Sequence, residues 1–444
     1  MPASPNHPPL ADVVALAVTL HQGGHLDEAE ELYERALQRD PRQVDALHFL
    51  GVLRHRQGNS PEAIRLIRAA LLGNPSYWGA RINLGNVLKE SERFTEAENE
   101  YRKVVQALPN NADALNNLGV VLRAQQQNQA AIDSFRQATA AAPQHADAHQ
   151  NLGNALRAVG EFEEALTEFR RAVEIDPHHT RAHLSLGRAL YSCNRIDEAV
   201  VVYRQWLSIE PDNPIAQHML VSCLGDNTPD RCSTDFVKQS FDAFASSFDE
   251  VLERLEYKAP ALVAAAVAAA LPSPAAQFAI LDAGCGTGLC GSALRPYANH
   301  LVGIDLSPNM IIKANSQGIY DDLCEVELTQ YMSEHAAQFD VIVSADTLNY
   351  FGKLDPVFET AFTALRPGGV LVFTLEHAES ESAPQGYRLN HHGRYSHCKD
   401  HTLGLLQQIG FSVQACDIAE LRLELKQSVN GLVITVVKPP AAAN

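Results

Sequence analysis

The spacing of apolar positions changes character near the middle of the chain. Between residues 10 and 213, small and apolar residues return at one fixed interval of 34 positions. Alanine recurs at Ala29, Ala63, Ala97, Ala131, Ala165 and Ala199, and a Leu-Gly step recurs with Gly51, Gly85, Gly119, Gly153 and Gly187. Tyr33, Tyr101, Phe135, Phe169 and Tyr203 keep the same period, as do Pro41, Pro75, Pro109, Pro143, Pro177 and Pro211. This predicts pairs of helices that cross closely at the small residues, with the aromatic filling the gap and the proline ending the second helix. The segment Pro214 to Leu224 lacks the Gly and Ala signature of a further copy and predicts a single capping helix. Asp226 to Cys232 reads as a turn-rich linker.

The period and the residue pattern resemble the tetratricopeptide repeat, TPR, in six in-register copies. The resemblance implies an all-α solenoid over residues 10–213, after a disordered segment 1–9, with a concave inner face that takes a protein or peptide partner. Asn83, Asn117 and Asn151 stand two residues before central glycines, and Asn86 and Asn154 share their face. Stacked side-chain amides can clamp an extended peptide backbone whatever its side chains. The arrangement resembles the asparagine ladder in the TPR domain of O-linked N-acetylglucosamine transferases. Ala15, Phe49, Val120 and Ser185 interrupt it. The same asparagines also suit a solvated helix face repeated by duplication, and on either reading their side chains are expected to face solvent.

Beyond the linker, Phe241, Phe244, Ala245, Phe248, Leu252 and Leu255 recur at helical spacing, predicting one helix over Phe236 to Leu255. Short apolar runs then succeed one another at Phe278 to Leu281, Leu301 to Ile304, Leu323 to Leu328, Phe339 to Ala345, Val370 to Leu375, Phe411 to Ala415 and Leu432 to Val437. They predict a seven-stranded sheet with crossover helices, the last two strands forming an antiparallel pair at its edge.

The first of these strands runs into Asp282-Ala283-Gly284-Cys285-Gly286-Thr287-Gly288. Glycines at alternate positions let the backbone turn tightly and approach a ligand. The second strand ends in Asp305, a carboxylate able to accept both hydroxyls of a ribose. This order resembles motif I and its follower in class I S-adenosylmethionine methyltransferases, Rossmann-like α/β domains. Gly286-x-Gly288-x-x-Gly291 also fits the dinucleotide fingerprint, a weak match when alone, and Asp282 is a charge where such strands are apolar. The resemblance implies S-adenosylmethionine as cofactor, held by Asp282, Gly284, Cys285, Gly286, Gly288, Asp305, Leu306, Met310, Glu327, Leu328 and Asp346. Ser307 adjoins the same wall. The wording of 240–249 and Gly393-Arg394-Tyr395-x-His397 resembles a bacterial group of TPR-fused methyltransferases, in which the entry helix covers the cofactor and the insert folds over the substrate side.

Methyl transfer asks the protein mainly for alignment and exclusion of water, and for a base only when the nucleophile arrives protonated. Asp346 and Asn349 end the fourth strand, and Glu376 and His377 the fifth. In the insert His397 is the candidate general base and Tyr395 a weaker one, while Arg388 and Arg394 can orient an anionic acceptor. The same residues can instead structure the insert. Asp346-Thr347-Leu348 lacks the signature of amide and exocyclic-amine methylases. Four histidines and Cys398 crowd residues 391–401, yet their spacing matches no closed tetrahedral site, so no metal is expected.

Composition narrows the partners. The net charge is −18, and neither half carries the basic excess that a phosphate backbone requires, so nucleic acid is not expected. Eight cysteines without a C-x-x-C pair suit reduced thiols. The apolar run Ala259 to Leu271 is too short to span a bilayer. A cytoplasmic, membrane-free enzyme is expected, with a methyltransferase domain over 232–440 behind a capping helix and linker over 214–231. A small-molecule acceptor with the repeats used for assembly, or a scaffold that binds the cofactor without catalysis, are the alternatives.

Overall fold

The computed structural model describes residues 8–225, 228–245, 248, 251–252, 255–424 and 427–440. Two compact units divide the chain, residues 1–194 and 195–444. No helix among the described residues is long and apolar enough to cross a membrane.

Among its described residues the first unit is helical: α1 (Leu10–Gln22), α2 (Leu26–Arg39), α3 (Val44–Arg56), α4 (Ser60–Gly73), α5 (Trp78–Glu90), α6 (Phe94–Ala107), α7 (Ala112–Ala124), α8 (Asn128–Ala141), α9 (Ala146–Val159), α10 (Phe162–Ile175) and α11 (Thr180–Ser192). The recurring Gly is explained by its neighbour. A Cβ at Gly85 would lie 2.5 Å from the Tyr101 ring, and at Gly119 and Gly153 2.6 Å from Phe135 and Phe169. Those three rings are fully buried, so they cannot swing aside. Asn59 and Asn111 cap α4 and α7, their side chains accepting from Glu62 N and Ala114 N.

The asparagine face departs from expectation. Asn83 Nδ2 donates to His48 Nε2 (2.9 Å), and Asn117 Nδ2 and the Tyr101 hydroxyl both donate to Asn86 Oδ1 (3.2 and 2.7 Å). Asn151, 6% exposed, donates to Asn116 Oδ1 at 2.9 Å, and Asn154 Oδ1 accepts from Ser185 Oγ at 3.5 Å. These side chains are partly or fully buried and tie neighbouring repeats together. The stacking that brings each near the next repeat also lets it satisfy that repeat's polar atoms.

The second unit opens with α12 (Ile196–Ile209) and α13 (Pro214–Leu224), so these helices group with the α/β part rather than with residues 10–194. After them come α14 (Thr234–Phe244) and α15 (Ala259–Ala270). The rest of the predicted entry helix includes positions outside the described residues, as does the start of the linker at 226–227. The described linker is anchored: Cys232 N donates to Tyr350 O (2.8 Å), and Gly352 N and Lys353 N donate to Asp230 O.

Among the described residues the sheet has nine strands: β1 (Phe278–Ala283), β2 (Ala298–Asp305), β3 (Asp322–Glu325), β4 (Phe339–Ser344), β5 (Leu365–His377), β6 (Tyr387–Leu389), β7 (Tyr395–His397), β8 (Ser412–Glu424) and β9 (Gln427–Val437). The order is β3-β2-β1-β4-β5-β7-β6, with β9 antiparallel to β5 and β8 antiparallel to β9. The seven predicted strands are present, and the insert adds β6 and β7. The helices that follow the strands are α16 (Gly291–Leu294), α17 (Pro308–Ser316), α18 (Leu328–Glu334), α19 (Asp355–Ala364) and α20 (Lys399–Ile409). Apolar runs alternate between two cores. Ile280, Val341, Val343 and Val372 pack with Val263 and Val267 of α15, while Leu281, Ile342 and Phe373 pack with Met332, Phe358 and Leu406. Because β1 lies between β2 and β4, its carboxyl end opens at the point where strand order reverses, where such sheets hold ligands.

Candidate active site

Gly284, Gly286 and Gly288 all take positive φ (82°, 54° and 95°). The turn they make is pinned from two sides. Gly284 N and Cys285 N donate to Ile304 O (both 2.9 Å), and a Cβ at Gly284 would strike Thr347 Oγ1 at 2.2 Å. Asp305 closes the turn, accepting from Gly286 N (3.0 Å) and Ser307 N (2.9 Å). Burial raises the pKa of Asp305, and those amides oppose the shift. Asp282 is 1% exposed and accepts from the Tyr320 hydroxyl at 2.8 Å. Burial, and Asp305 nearby, push it up to about 7 although Tyr320 opposes.

Asp282, Gly284, Gly286 and Asp305 line one cavity with Cys285, Leu306, Glu327, Leu328 and Asp346, walled by Phe241, Phe248, Tyr257 and Tyr350, whereas Gly288 does not line it. At Gly286 it is the φ of 54° that favours glycine, since a Cβ there would only touch Phe248 at an ordinary 3.9 Å. Met310 does not reach the cavity. It is fully buried beneath α17, where its N–H caps onto Ser307 Oγ. Glu327 is the N-cap of α18, accepting from Gln330 N (2.9 Å) and pairing with Arg231 (3.1 Å). Both of its oxygens thus have a partner already.

Across the cavity Asp346 sits at φ 58°, a conformation that L residues rarely adopt and that persists only when its surroundings over-determine it. They do. Its N–H donates to Thr374 Oγ1 (2.8 Å), and its carboxylate accepts from Asn349 Nδ2 and Arg422 Nη1 (3.1 Å). Asn349, fully buried, also accepts from Glu376 N at 2.7 Å. Arg422 reaches Glu376 with Nη2 and Glu424 with Nε (2.8 Å). Arg394 bonds Glu376 through Nε (3.0 Å) and pairs with Glu424 through Nη2, leaving Nη1 3.9 Å from Asp346. Burial raises Asp346 despite both arginines. Burial opposes ionisation of Glu376 too, but Arg394, His392 and Arg422 overcome it and hold that carboxyl below its usual range.

The structure therefore unites Asp346, Asn349, Glu376 and Arg394, and separates the other insert candidates from them. His397 and Tyr395 are 1% and 0% exposed and do not line the cavity. β7 pairs with the end of β5, which puts His397 Nε2 3.2 Å from Gly352 O and lets the Tyr395 hydroxyl donate to Pro229 O (2.7 Å). Arg388 is exposed and bonds Asn390; His377 stands 3.9 Å from Glu379. Neither touches the cavity. Sequence reasoning missed Arg422, Glu424, His392 and Tyr320. The alternation Glu420-x-Arg422-x-Glu424 was the available signal, but charges at strand spacing normally mark a solvated face. Here a register shift between Glu420 and Arg422 accompanies burial of Arg422.

The loop carrying Arg394 is gripped by α13. His218 Nε2 bonds Gly393 O (2.8 Å), His391 Nδ1 bonds Ser222 O (2.7 Å), and Ser222 Oγ donates to His391 O (3.3 Å).

Comparison with known proteins finds both kinds of segment, with the repeat match running past residue 194. Residues 281–371 match the family model of a methyltransferase domain. Tetratricopeptide-repeat models match residues 14–80 and 82–146, and 122–171 and 156–223. The chain is 29% identical over 172 residues to human methyltransferase-like protein 27, covering 38% of this chain and 65% of that protein. It is 33% identical over 108 residues to the malonyl-[acyl-carrier protein] O-methyltransferase of Enterobacter lignolyticus, covering 24% of this chain and 43% of that one. The chain thus spans less than two thirds of either relative. PilF of Pseudomonas aeruginosa, a solved structure, is similar at 20% identity over 47% of this chain and 95% of its own, with a TM-score of 0.42. The chain carries tetratricopeptide repeats and a methyltransferase domain, and domains of this kind imply S-adenosylmethionine as methyl donor.

Proposed function

We propose that this protein is an S-adenosylmethionine-dependent methyltransferase whose repeats recruit a protein partner or peptide substrate. One observation carries the catalytic part: a single cavity joins the glycine turn and Asp305 to Asp346. Bound there, S-adenosylmethionine would supply a methyl group made electrophilic by its sulfonium. Asp305, beside the amides of Gly286, Leu306 and Ser307, retains capacity to accept from a ribose hydroxyl. Leu306 and Leu328 offer apolar faces to the adenine, and the glycine turn leaves room for the amino-acid end. Asp346, Arg394 and Tyr350 face the acceptor. With Asp346 held by Arg422 and Asn349, its part is to orient the acceptor and receive a hydrogen bond from it. The phenylalanines of the entry segment exclude water.

For the repeats, the support is the array itself, since stacked helix pairs of this kind commonly bind proteins. The experiment is calorimetric titration of the full chain with S-adenosylmethionine, followed by tritium labelling from the methyl group of proteins captured by the full chain. Absence of saturable S-adenosylmethionine binding would sink the enzymatic reading. Label confined to small molecules would sink the protein-substrate reading.

A further inference from the structure

Tyr320 lies in a slot cut by three glycines. A Cβ at Gly288 would stand 3.1 Å from its Cε2, one at Gly291 2.8 Å from its hydroxyl, and one at Gly303 2.9 Å from its Cδ1 and Cε1. Gly288 belongs to the turn, Gly291 starts α16 and Gly303 is in β2, so backbone from three elements makes way for one ring. The ring passes beneath the turn and ends on Asp282 Oδ2, 2.8 Å away. No cation acts on Asp282 among the described residues. The titratable groups that do are Asp305 of β2, the Cys285 and Cys290 thiols and Tyr320 itself. Burial holds both thiols and the Tyr320 hydroxyl in their neutral, protonated forms.

We propose that Tyr320 is a positioning residue for the methyl donor, holding the Asp282 carboxylate ionised and aimed into the cavity to meet the donor's positive charge. This rests on the reading that the cavity takes S-adenosylmethionine, which bears a sulfonium and an α-ammonium. A buried carboxylate with no cation beside it resists ionisation, and a hydrogen bond given to the charged form is what remains to favour it. The sequence spends three small residues on admitting that hydroxyl, and the location of Asp282, pushed up to about 7, sets donor affinity to change near neutral pH.

The test is calorimetric titration of the full chain with S-adenosylmethionine from pH 6 to 8.5, for wild type, Tyr320→Phe, Asp282→Asn and the double variant. Tyr320→Phe keeps the ring and the filled slot. It should weaken donor binding most at the acid end of this range, by about tenfold near pH 6 and about fivefold near pH 7, since a hydrogen bond to a charged group is equivalent to roughly one pKa unit. The deficit should shrink as pH rises, because the carboxyl then ionises unaided. The donor's own titration cancels in the ratio to wild type. In the Asp282→Asn background Tyr320→Phe should change nothing. Equal weakening at every pH, or equal weakening in both backgrounds, would show that the hydroxyl acts only through packing and overturn the inference. If wild type binds no S-adenosylmethionine at any pH, the cofactor reading itself falls, and this inference with it.

Discussion

Arg422 Nη1 stands 3.1 Å from Asp346 Oδ2, with the arginine side chain 1% exposed and the aspartate's 13%. Two residues 76 positions apart thus fix the charge at the carboxyl end of β4. The guanidinium also serves Glu376 and Glu424, a fork that an ammonium cannot copy.

Arg422→Ala should therefore lower the stability of the second unit by about 3–5 kcal/mol, the cost of leaving buried carboxylates unpaired. Arg422→Lys should recover part of this. Urea unfolding of the full chain, followed by circular dichroism, reads both.

Asp305→Ala should weaken S-adenosylmethionine binding roughly 30- to 1000-fold, about 2–4 kcal/mol, through loss of charge-assisted hydrogen bonds. Calorimetry checks it. Unchanged affinity would remove the ribose assignment.

Gly119→Ala should destabilise the first unit by about 1–3 kcal/mol, because the added methyl meets the buried Phe135 ring. Trimming that ring, as in Phe135→Leu, should make the alanine less costly than it is in wild type. A double-mutant cycle of thermal melts measures the coupling, and additive losses would contradict the close approach.

The combined change Asn83→Ala, Asn117→Ala, Asn151→Ala should cost roughly 3 kcal/mol of stability, about 1 kcal/mol for each hydrogen bond given up. Any weakening of partner capture must be read on the folded fraction. If melting is unchanged, these bonds are not held in solution and the solvent-facing reading returns.

His397 provides the pH prediction. Burial lowers its pKa to about 4. Its folded value lies below its unfolded one, so the unfolded chain binds the extra proton. Stability from this group is whole above about pH 6.5 and is lost as pH falls towards 4. Asp282, raised to about 7, contributes in the opposite sense and is common to both proteins in the comparison. His397→Gln should thus lose less melting temperature than wild type between pH 7.5 and 5, with donor affinity unaltered.

The features legible beforehand were those written in spacing. The 34-residue recurrence placed α1 to α12, and Asp282 to Gly288 with Asp305 placed the turn of the cavity. What escaped depended on contacts between distant segments. Arg422 lies on β8 and faces inward because of a register shift that no local pattern announces. Met310 and His397 have suitable chemistry within a few positions of the cavity, yet helix and strand geometry turn them into the core. The asparagines kept their predicted periodicity, but period alone does not say whether an amide meets solvent or the next repeat.

The grip of α13 on the loop 391–393 bears on where the chain can be divided. A cut at residue 232, where composition suggests a boundary, would strip His218 and Ser222 from the loop that carries Arg394. A cut after Asn194 keeps them. A division that leaves this loop its contacts therefore keeps α12 and α13 with the sheet.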